Sequence, residues 1–318
     1  MNKESFLSYQ TYYESYLQDD PEKREKAAPE VQRRALEYTM PENMTMEDRT
    51  IEGHPEGKAE LPIRIYRPER AEPLPVILDI HGGAWMFGGI GMDVQRCIEL
   101  AIRVPAIVIS VDYTLSDGKE HHFPAPLMDI LQLYTWTKDH AGEFGGAPDR
   151  IGLYGYSAGG NLAEGLALYL RDHGDDSLRL VALDCPCLYM DKESTYAYHQ
   201  NFELRMGAMH LGVDPFSQSA EMAYLKELNG QQPSYYAFPG YVPTVAGLGP
   251  HYIIAAEYDT LRDGAVEYML RLLRAGVHVD FQLAATTCHC FTKMPHPYTS
   301  LTYEMMAYAF RREFGMLK

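Results

Sequence analysis

Gly155-Tyr156-Ser157-Ala158-Gly159 sets a serine at the centre of a G-x-S-x-G. The apolar run "RIGLYG" precedes it, and "AGGNLAEGLALYLRDHG", with apolar residues at helical spacing, follows. A strand, a sharp turn and a helix form the setting that lifts a serine hydroxyl above the edge of a sheet as a nucleophile. The turn is crowded, so a Cβ at either flanking position would clash, which is the reason for glycine there. The plain alternative is a Gly-rich turn at the end of a strand. A serine hydroxyl is a weak nucleophile at neutral pH, so the chemical reading also requires a base and a carboxylate that orients it.

A second motif supplies the electrophilic half of the same chemistry. "DIHGGAWMFGG" follows another apolar run and carries His81-Gly82-Gly83-Ala84-Trp85. Ester cleavage passes through a tetrahedral oxyanion, and one fixed N–H donor aimed at it is worth about 10²–10³ in rate. The donors expected here are the amides of Gly83 and Ala84, with Gly82 allowing the bend, together with the amide of Ala158 just after the serine. The run "HYIIAAEYDTLRD" brings three carboxylates to its end: Glu257, Asp259 and Asp263. Asp259 falls just past the run, Glu257 lies nearer its interior, and Asp263 fits the first turn of the next helix, where the dipole favours an acid. Asp259 is therefore the preferred orienting group. His289, thirty residues further on in "LAATTCHCFTKM", is the expected base, with His296 in "MPHPY" as its rival.

Cys288 and Cys290 flank His289 and raise the question of a metal site. Three consecutive loop side chains point different ways and rarely converge on one ion, and C-x-C lacks the C-x₂₋₄-C spacing of common zinc sites. The reading is a general base flanked by two incidental thiols, with no metal and no cofactor. Cys185 and Cys187 end another apolar run and are expected as buried, inert thiols on one face of a strand.

The elements that must position these groups are short β-rich runs at 63–68, 75–80, 106–110, 150–155, 178–184, 251–257 and 277–283. Most are continuously apolar, as in strands covered on both faces. Segments of helical periodicity alternate with them, among them "RDGAVEYMLRLLRAG", for which Gly276 is a C-cap. This alternation predicts an α/β fold with a mainly parallel sheet and helices on both faces. Two stretches fall outside it. Residues 1–48 are charged, Tyr-rich and helix-permissive, and a long polar and aromatic segment separates Leu188 from about Gly249. The second is too long for a structureless loop and predicts an inserted helical subdomain.

Composition narrows the function class. The 318 residues carry 44 acidic against 28 basic side chains, a net charge of −16, which disfavours nucleic acid and anionic membrane surfaces as partners. No apolar run reaches the roughly 18 residues of a spanning helix. The N-terminal twenty residues lack the apolar core of a signal peptide, so the expected location is cytoplasmic.

Taken together, "HGGAW", "GYSAGGNLA", "EYDTLRD" and "CHCF" resemble the hormone-sensitive-lipase-like family of α/β-hydrolase esterases, over about Ile63 to the C-terminus. "SVDYTLSDGKEHHFPAPLMD" is similar to the Asp-Tyr…Phe-Pro-Ala segment of the same family. The resemblance implies a serine carboxylesterase for small to medium acyl esters, working through Ser157, His289 and Asp259 with an acyl-enzyme intermediate. It also implies a helical cap. The organisation is then 1–48 as the N-terminal part of the cap, 49–188 as the first part of the core, 189–249 as the cap insertion and 250–318 as the second part of the core. Aromatics of the insertion, such as Tyr196, Tyr198, Phe202, Phe216, Tyr235 and Tyr236, could line an acyl pocket or pack the cap itself. The edge strand "VHVDFQL" and the C-terminal helix could pair two copies into a homodimer, as in similar esterases. The chain departs from the family in three places: Ala84 stands where a third glycine is common, Tyr156 where an acid is, and Cys290 where His-Gly-Phe is usual. An arylformamidase-like amide hydrolase would share these motifs. A prolyl-type peptidase would share the fold, usually with a large β-propeller that this chain lacks. A non-catalytic ligand receptor on the same scaffold would typically have lost one of the three groups.

Overall fold

The computed structural model of the chain describes residues 40–70, 73–190, 221–226, 233–293 and 297–317. Eight strands form one sheet: β1 (Met44–Glu52), β2 (Glu60–Pro68), β3 (Leu74–Ile80), β4 (Ile107–Val111), β5 (Gly146–Tyr156), β6 (Leu178–Asp184), β7 (His251–Tyr258) and β8 (Val279–Cys288). Their spatial order is β1-β2-β4-β3-β5-β6-β7-β8. β2 runs antiparallel to both β1 and β4, and every pairing from β4 across to β8 is parallel. Among the described residues, helices α1 (Val94–Arg103), α2 (Ala125–His140), α3 (Ala158–Asp172), α4 (Arg262–Arg274) and α5 (Pro297–Glu313) cover it. The sheet and its two helical layers follow the alternation of the sequence.

The central strands are apolar throughout because both of their faces are covered. All seven residues of β3 and all five of β4 are buried. Alternate residues serve alternate sides. Val76, Leu78 and Ile80 join a core with Leu127 and Leu133 of α2, Leu162 and Leu166 of α3, and Leu272 of α4. Ile77 joins a second core with Cys97 and Ile98 of α1 and Met306 and Phe310 of α5. α4 ends as its sequence predicts. Gly276 takes φ +77°, its N–H donates to Leu273 O, and Val277 N–H donates to Leu272 O, which is a Schellman cap with its apolar contact between Val277 and Leu272.

Three sequence expectations are corrected. β1 begins at Met44, inside the segment assigned to the helical part of the cap (1–48); there "MTMEDRTIE" pairs along its whole length with β2. Residues 233–249, in the segment read as the insertion, share a buried cluster with the core through Phe238, Val242, Val245 and Leu248. Cys185 and Cys187 are buried, but they lie beyond the end of β6, not on a strand face. β8 continues five residues past Leu283 to Cys288, through a bulge at which Thr286 has φ +59°. Residues 1–39 and most of the insertion lie outside the described residues.

A buried polar triad ties α3, α4 and β7 together. His251 Nε2 lies 2.8 Å from Glu164 Oε2, its Nδ1 lies 2.8 Å from Gly249 O, and Tyr268 Oη donates to Glu164 Oε1 at 2.5 Å. Both ring nitrogens face acceptors, so the ring bonds fully only as the imidazolium. Burial opposes that charge, but the Glu164 carboxylate outweighs it and raises the His251 pKa. A raised pKa stabilises the fold below the unfolded value and loses that contribution as pH rises through the folded one. Glu164→Gln should cost about 3–5 kcal/mol in urea unfolding near neutral pH. It should also flatten the alkaline decline of stability; an unchanged midpoint would show that the pair does not hold these elements.

Candidate active site

The parallel strands end on one edge of the sheet, and β3, β5, β7 and β8 there release His81, Ser157, Asp259 and His289 into loops. The serine sits at φ +56°, ψ −121°, a region non-glycine residues rarely adopt. The flanking glycines are steric necessities. A Cβ on Gly155 would lie 2.2 Å from Gly159 O, and one on Gly159 would lie 2.1 Å from Ile80 O. Ser157 N–H donates to Asp184 O, and Ser157 O accepts from Cys187 and Asn161 N–H, so the strained turn is held from both sides.

The structure brings Ser157, His289 and Asp259 together. His289 Nε2 lies 2.9 Å from Ser157 Oγ, and His289 Nδ1 lies 2.7 Å from Asp259 Oδ2. The other oxygen of Asp259, Oδ1, accepts from Leu261 N–H at 3.0 Å, and the residue is 1% exposed. A carboxylate on Nδ1 places the proton there and leaves Nε2 to accept from a hydroxyl. Burial opposes a charge on His289, but Asp259 outweighs it and raises the imidazole pKa above its ordinary value. The two rival carboxylates are engaged elsewhere: Glu257 accepts from Thr286 N–H at 2.6 Å and so braces the bulge of β8, and Asp263 pairs with Arg262 in the first turn of α4. His296 lies outside the described residues.

The loop after β3 forms a backbone nest. Gly83, Ala84 and Trp85 have φ of +124°, +52° and +59°. A Cβ on Gly82 would meet Tyr156 O at 2.8 Å, and one on Gly83 would meet Phe87 O at 2.1 Å, so both glycines are required. Gly83 O accepts from Met86 and Phe87 N–H, which closes the turn. Among the described residues nothing accepts from the amides of Gly83, Ala84 or Ala158. Ala84, where the family often has glycine, keeps the left-handed backbone at a cost of about 1–2 kcal/mol. Trp85 anchors the strained loop: its ring stacks on Tyr224 at 4.6 Å and its Nε1 donates to Asn161 Oδ1.

Sequence reading missed Asn161. It is fully buried, and its amide also donates to Cys187 O and Ala237 O, so one side chain joins the nest, the β6 loop and the packed end of the insertion. The signal was its place four residues after the serine, one helical turn into α3. His81 is buried, stacks on Tyr113 and bonds Gly82 O through Nδ1; burial lowers its pKa, so it is a neutral structural ring. The hydroxyls of Tyr235 and Tyr236 bond Asp172 at the far end of α3, about 20 Å from Ser157 at 1.5 Å per residue, so neither reaches toward an acyl pocket. Tyr196, Tyr198, Phe202 and Phe216 lie outside the described residues.

Cys185, Asp259 and His289 hold ligand-type atoms within 4.8 Å of one another. Both nitrogens of His289 are already engaged, and burial pushes the Cys185 thiol up, so a cation there would compete with the hydrogen bonds of the site. Among the described residues no helix is long and apolar enough to cross a membrane.

A family profile for the alpha/beta hydrolase fold matches residues 77–293. The chain is 31% identical over 247 residues to an arylesterase of Saccharolobus solfataricus, an overlap that covers 76% of each protein. It is 31% identical over 263 residues to carboxylesterase NlhH of Mycobacterium tuberculosis, covering 77% of this chain and 75% of the relative. Among solved structures, a bacterial heroin esterase superposes with a TM-score of 0.80 at 29% identity, covering 92% of both chains. A hyperthermophilic esterase of the archaeon Pyrobaculum calidifontis superposes with a TM-score of 0.79 at 27% identity, covering 91% of this chain and 90% of that one. With an eight-stranded sheet of this topology and esterase relatives along most of its length, the chain belongs to the α/β-hydrolase family, in its hormone-sensitive-lipase-like esterase branch, and is a carboxylic ester hydrolase.

Proposed function

We propose that the chain hydrolyses small to medium acyl esters through a serine acyl-enzyme, with Ser157 as nucleophile, His289 as base and Asp259 as orienting carboxylate. The observation that carries this reading is the unbroken run of hydrogen bonds from Asp259 Oδ2 through the imidazole to Ser157 Oγ, at 2.7 and 2.9 Å. His289 Nε2 takes the hydroxyl proton as Ser157 Oγ attacks the ester carbonyl. The developing oxyanion is received by the amides of Gly83, Ala84 and Ala158. His289 then returns the proton to the departing alcohol, and water, deprotonated by the same ring, releases the acid.

Acyl size is inferred from the wall beside the nest. Trp85, Tyr224 and Phe238 are all buried and in ring contact with one another, which leaves little depth on that side. A panel of p-nitrophenyl esters from acetate to palmitate should peak at acetate to hexanoate in kcat/KM, and a maximum at palmitate would overturn the size assignment. N-formyl anilides in the same panel separate an amide hydrolase, which would prefer them to the esters.

A further inference from the structure

Tyr156, beside the nucleophile, belongs to a charged cluster distinct from the hydrogen bonds of the site. Its ring lies 4.2 Å from the Arg96 guanidinium and 4.7 Å from the Lys293 ammonium, and Lys293 also donates to its hydroxyl at 2.9 Å. Lys293 reaches Asp93 at 3.1 Å, Arg96 reaches Asp93 at 2.7 Å, and Arg96 reaches Asp79 at 3.0 Å. Two acids meet two bases, with no exposure at either aspartate side chain and 3% at the arginine.

Stability alone is a poor account of such a cluster, because apolar side chains of the same volume often serve a buried site as well or better. Its connections suggest another role. Asp79 lies on β3 just ahead of the nest, Tyr156 precedes Ser157, and Lys293 closes the turn that starts at His289. That turn needs outside support. Cys290 is held at φ +57°, a conformation that favours glycine, and Lys293 N–H donates back to its carbonyl at 3.1 Å. Thr292 Oγ1 bonds Asp184 Oδ2 at 2.5 Å and supplies a second tether.

We infer that Lys293 is a positioning residue: bound to Asp93 and to the hydroxyl of Tyr156, it sets the placement of the His289 imidazole over Ser157. The inference rests on the acyl-transfer reading above. Displacing a base by about 1 Å is enough to cost 10²-fold in rate without weakening substrate binding. Lys293→Met should therefore lower kcat on p-nitrophenyl acetate by about 10–100-fold with KM within about twofold, and slow fluorophosphonate labelling of Ser157 in proportion. Lys293→Arg, which keeps the charge and the donors, should restore most of the rate.

Lys293→Met leaves Asp93 short of one partner and could fail to fold. The variant carrying Lys293→Met with Asp93→Asn removes a matched pair and leaves Arg96 against Asp79, so it keeps the test open. A folded single or double variant with the kcat of the unmodified protein overturns the inference, as does a loss that Lys293→Arg does not repair. Ser157→Ala in the same series separates the two levels. If it keeps its activity, the reading beneath fails; if it is inactive while Lys293→Met is unimpaired, only the positioning role fails.

Discussion

Ser157→Ala is expected to lower kcat for p-nitrophenyl acetate by about 10⁴–10⁶-fold while the fold stays intact. The size of the effect follows from what remains. On the proposed mechanism the amides of Gly83, Ala84 and Ala158 would still receive the oxyanion, and such donors with substrate binding alone supply about 10³–10⁴ over water in serine hydrolases of this logic. Among the described residues the hydroxyl bonds toward His289, whose side chain is 25% exposed, so its removal does not strand a fully buried ring. The backbone at φ +56° is no worse for alanine than for serine. Thermal unfolding should shift little, which makes loss of activity readable as chemistry. Retention of more than a few per cent of the rate, after fluorophosphonate titration excludes contaminating esterase, would remove Ser157 from the nucleophile's role.

Asp259→Asn is expected to lower kcat by about 10⁴-fold, since an amide in this place can hold the ring in the wrong tautomer. It should also move the pH profile in a stated direction. Burial works against a charge on His289, and the Asp259 carboxylate outweighs it, so the ring's pKa is raised. Attack needs the neutral ring, so activity climbs as pH rises through that value and the acid limb should lie above the ordinary histidine range of about 6.5. Removing the negative charge takes away the largest influence that opposes desolvation, and the acid limb of the residual activity should move to lower pH. Stability follows the same linkage. The pair stabilises the fold below the unfolded histidine value and loses that contribution as pH rises through the folded one. The unmodified protein should therefore lose its thermal advantage over Asp259→Asn on the alkaline side. A pH–rate profile unmoved by the substitution would mean that another carboxylate orients the base.

What the sequence made legible was whatever local chemistry dictates. G-x-S-x-G between a strand and a helix points to one backbone solution, because Gly155 and Gly159 have carbonyls within 2.2 Å of where their Cβ atoms would be. Continuous apolar runs mark strands with both faces covered, and β3 and β4 are buried at every residue. The order of serine, acid and histidine along the chain matches the order in which β5, β7 and β8 end on one edge. What stayed hidden depends on juxtaposition. Asn161 reads as a polar residue in a helix until its three partners, from Trp85, Cys187 and Ala237, are in place. Lys293 and Asp93 are 200 residues apart and carry no local pattern. β1 was obscured by its charges, since an edge strand with solvent on one side needs few apolar residues. The last residues of β8, "AATTC", lack the branched apolar character of a strand, and past Ala284 they rejoin β7 at Cys288 beyond a bulge braced by Glu257.

The place of β8 in the sheet has an evolutionary consequence. Ser157 follows β5, flanked on both sides, and Asp259 follows β7, also flanked, whereas His289 follows the outermost strand, which among the described residues has β7 as its one neighbour. Changes in the residues around the histidine therefore disturb the rest of the scaffold least. Cys290, where the family usually has glycine and where φ is +57°, is a departure that such a peripheral mounting tolerates. On the proposed mechanism, a lineage could retune the surroundings of His289 there while Ser157 and the loop after β3 stay constant.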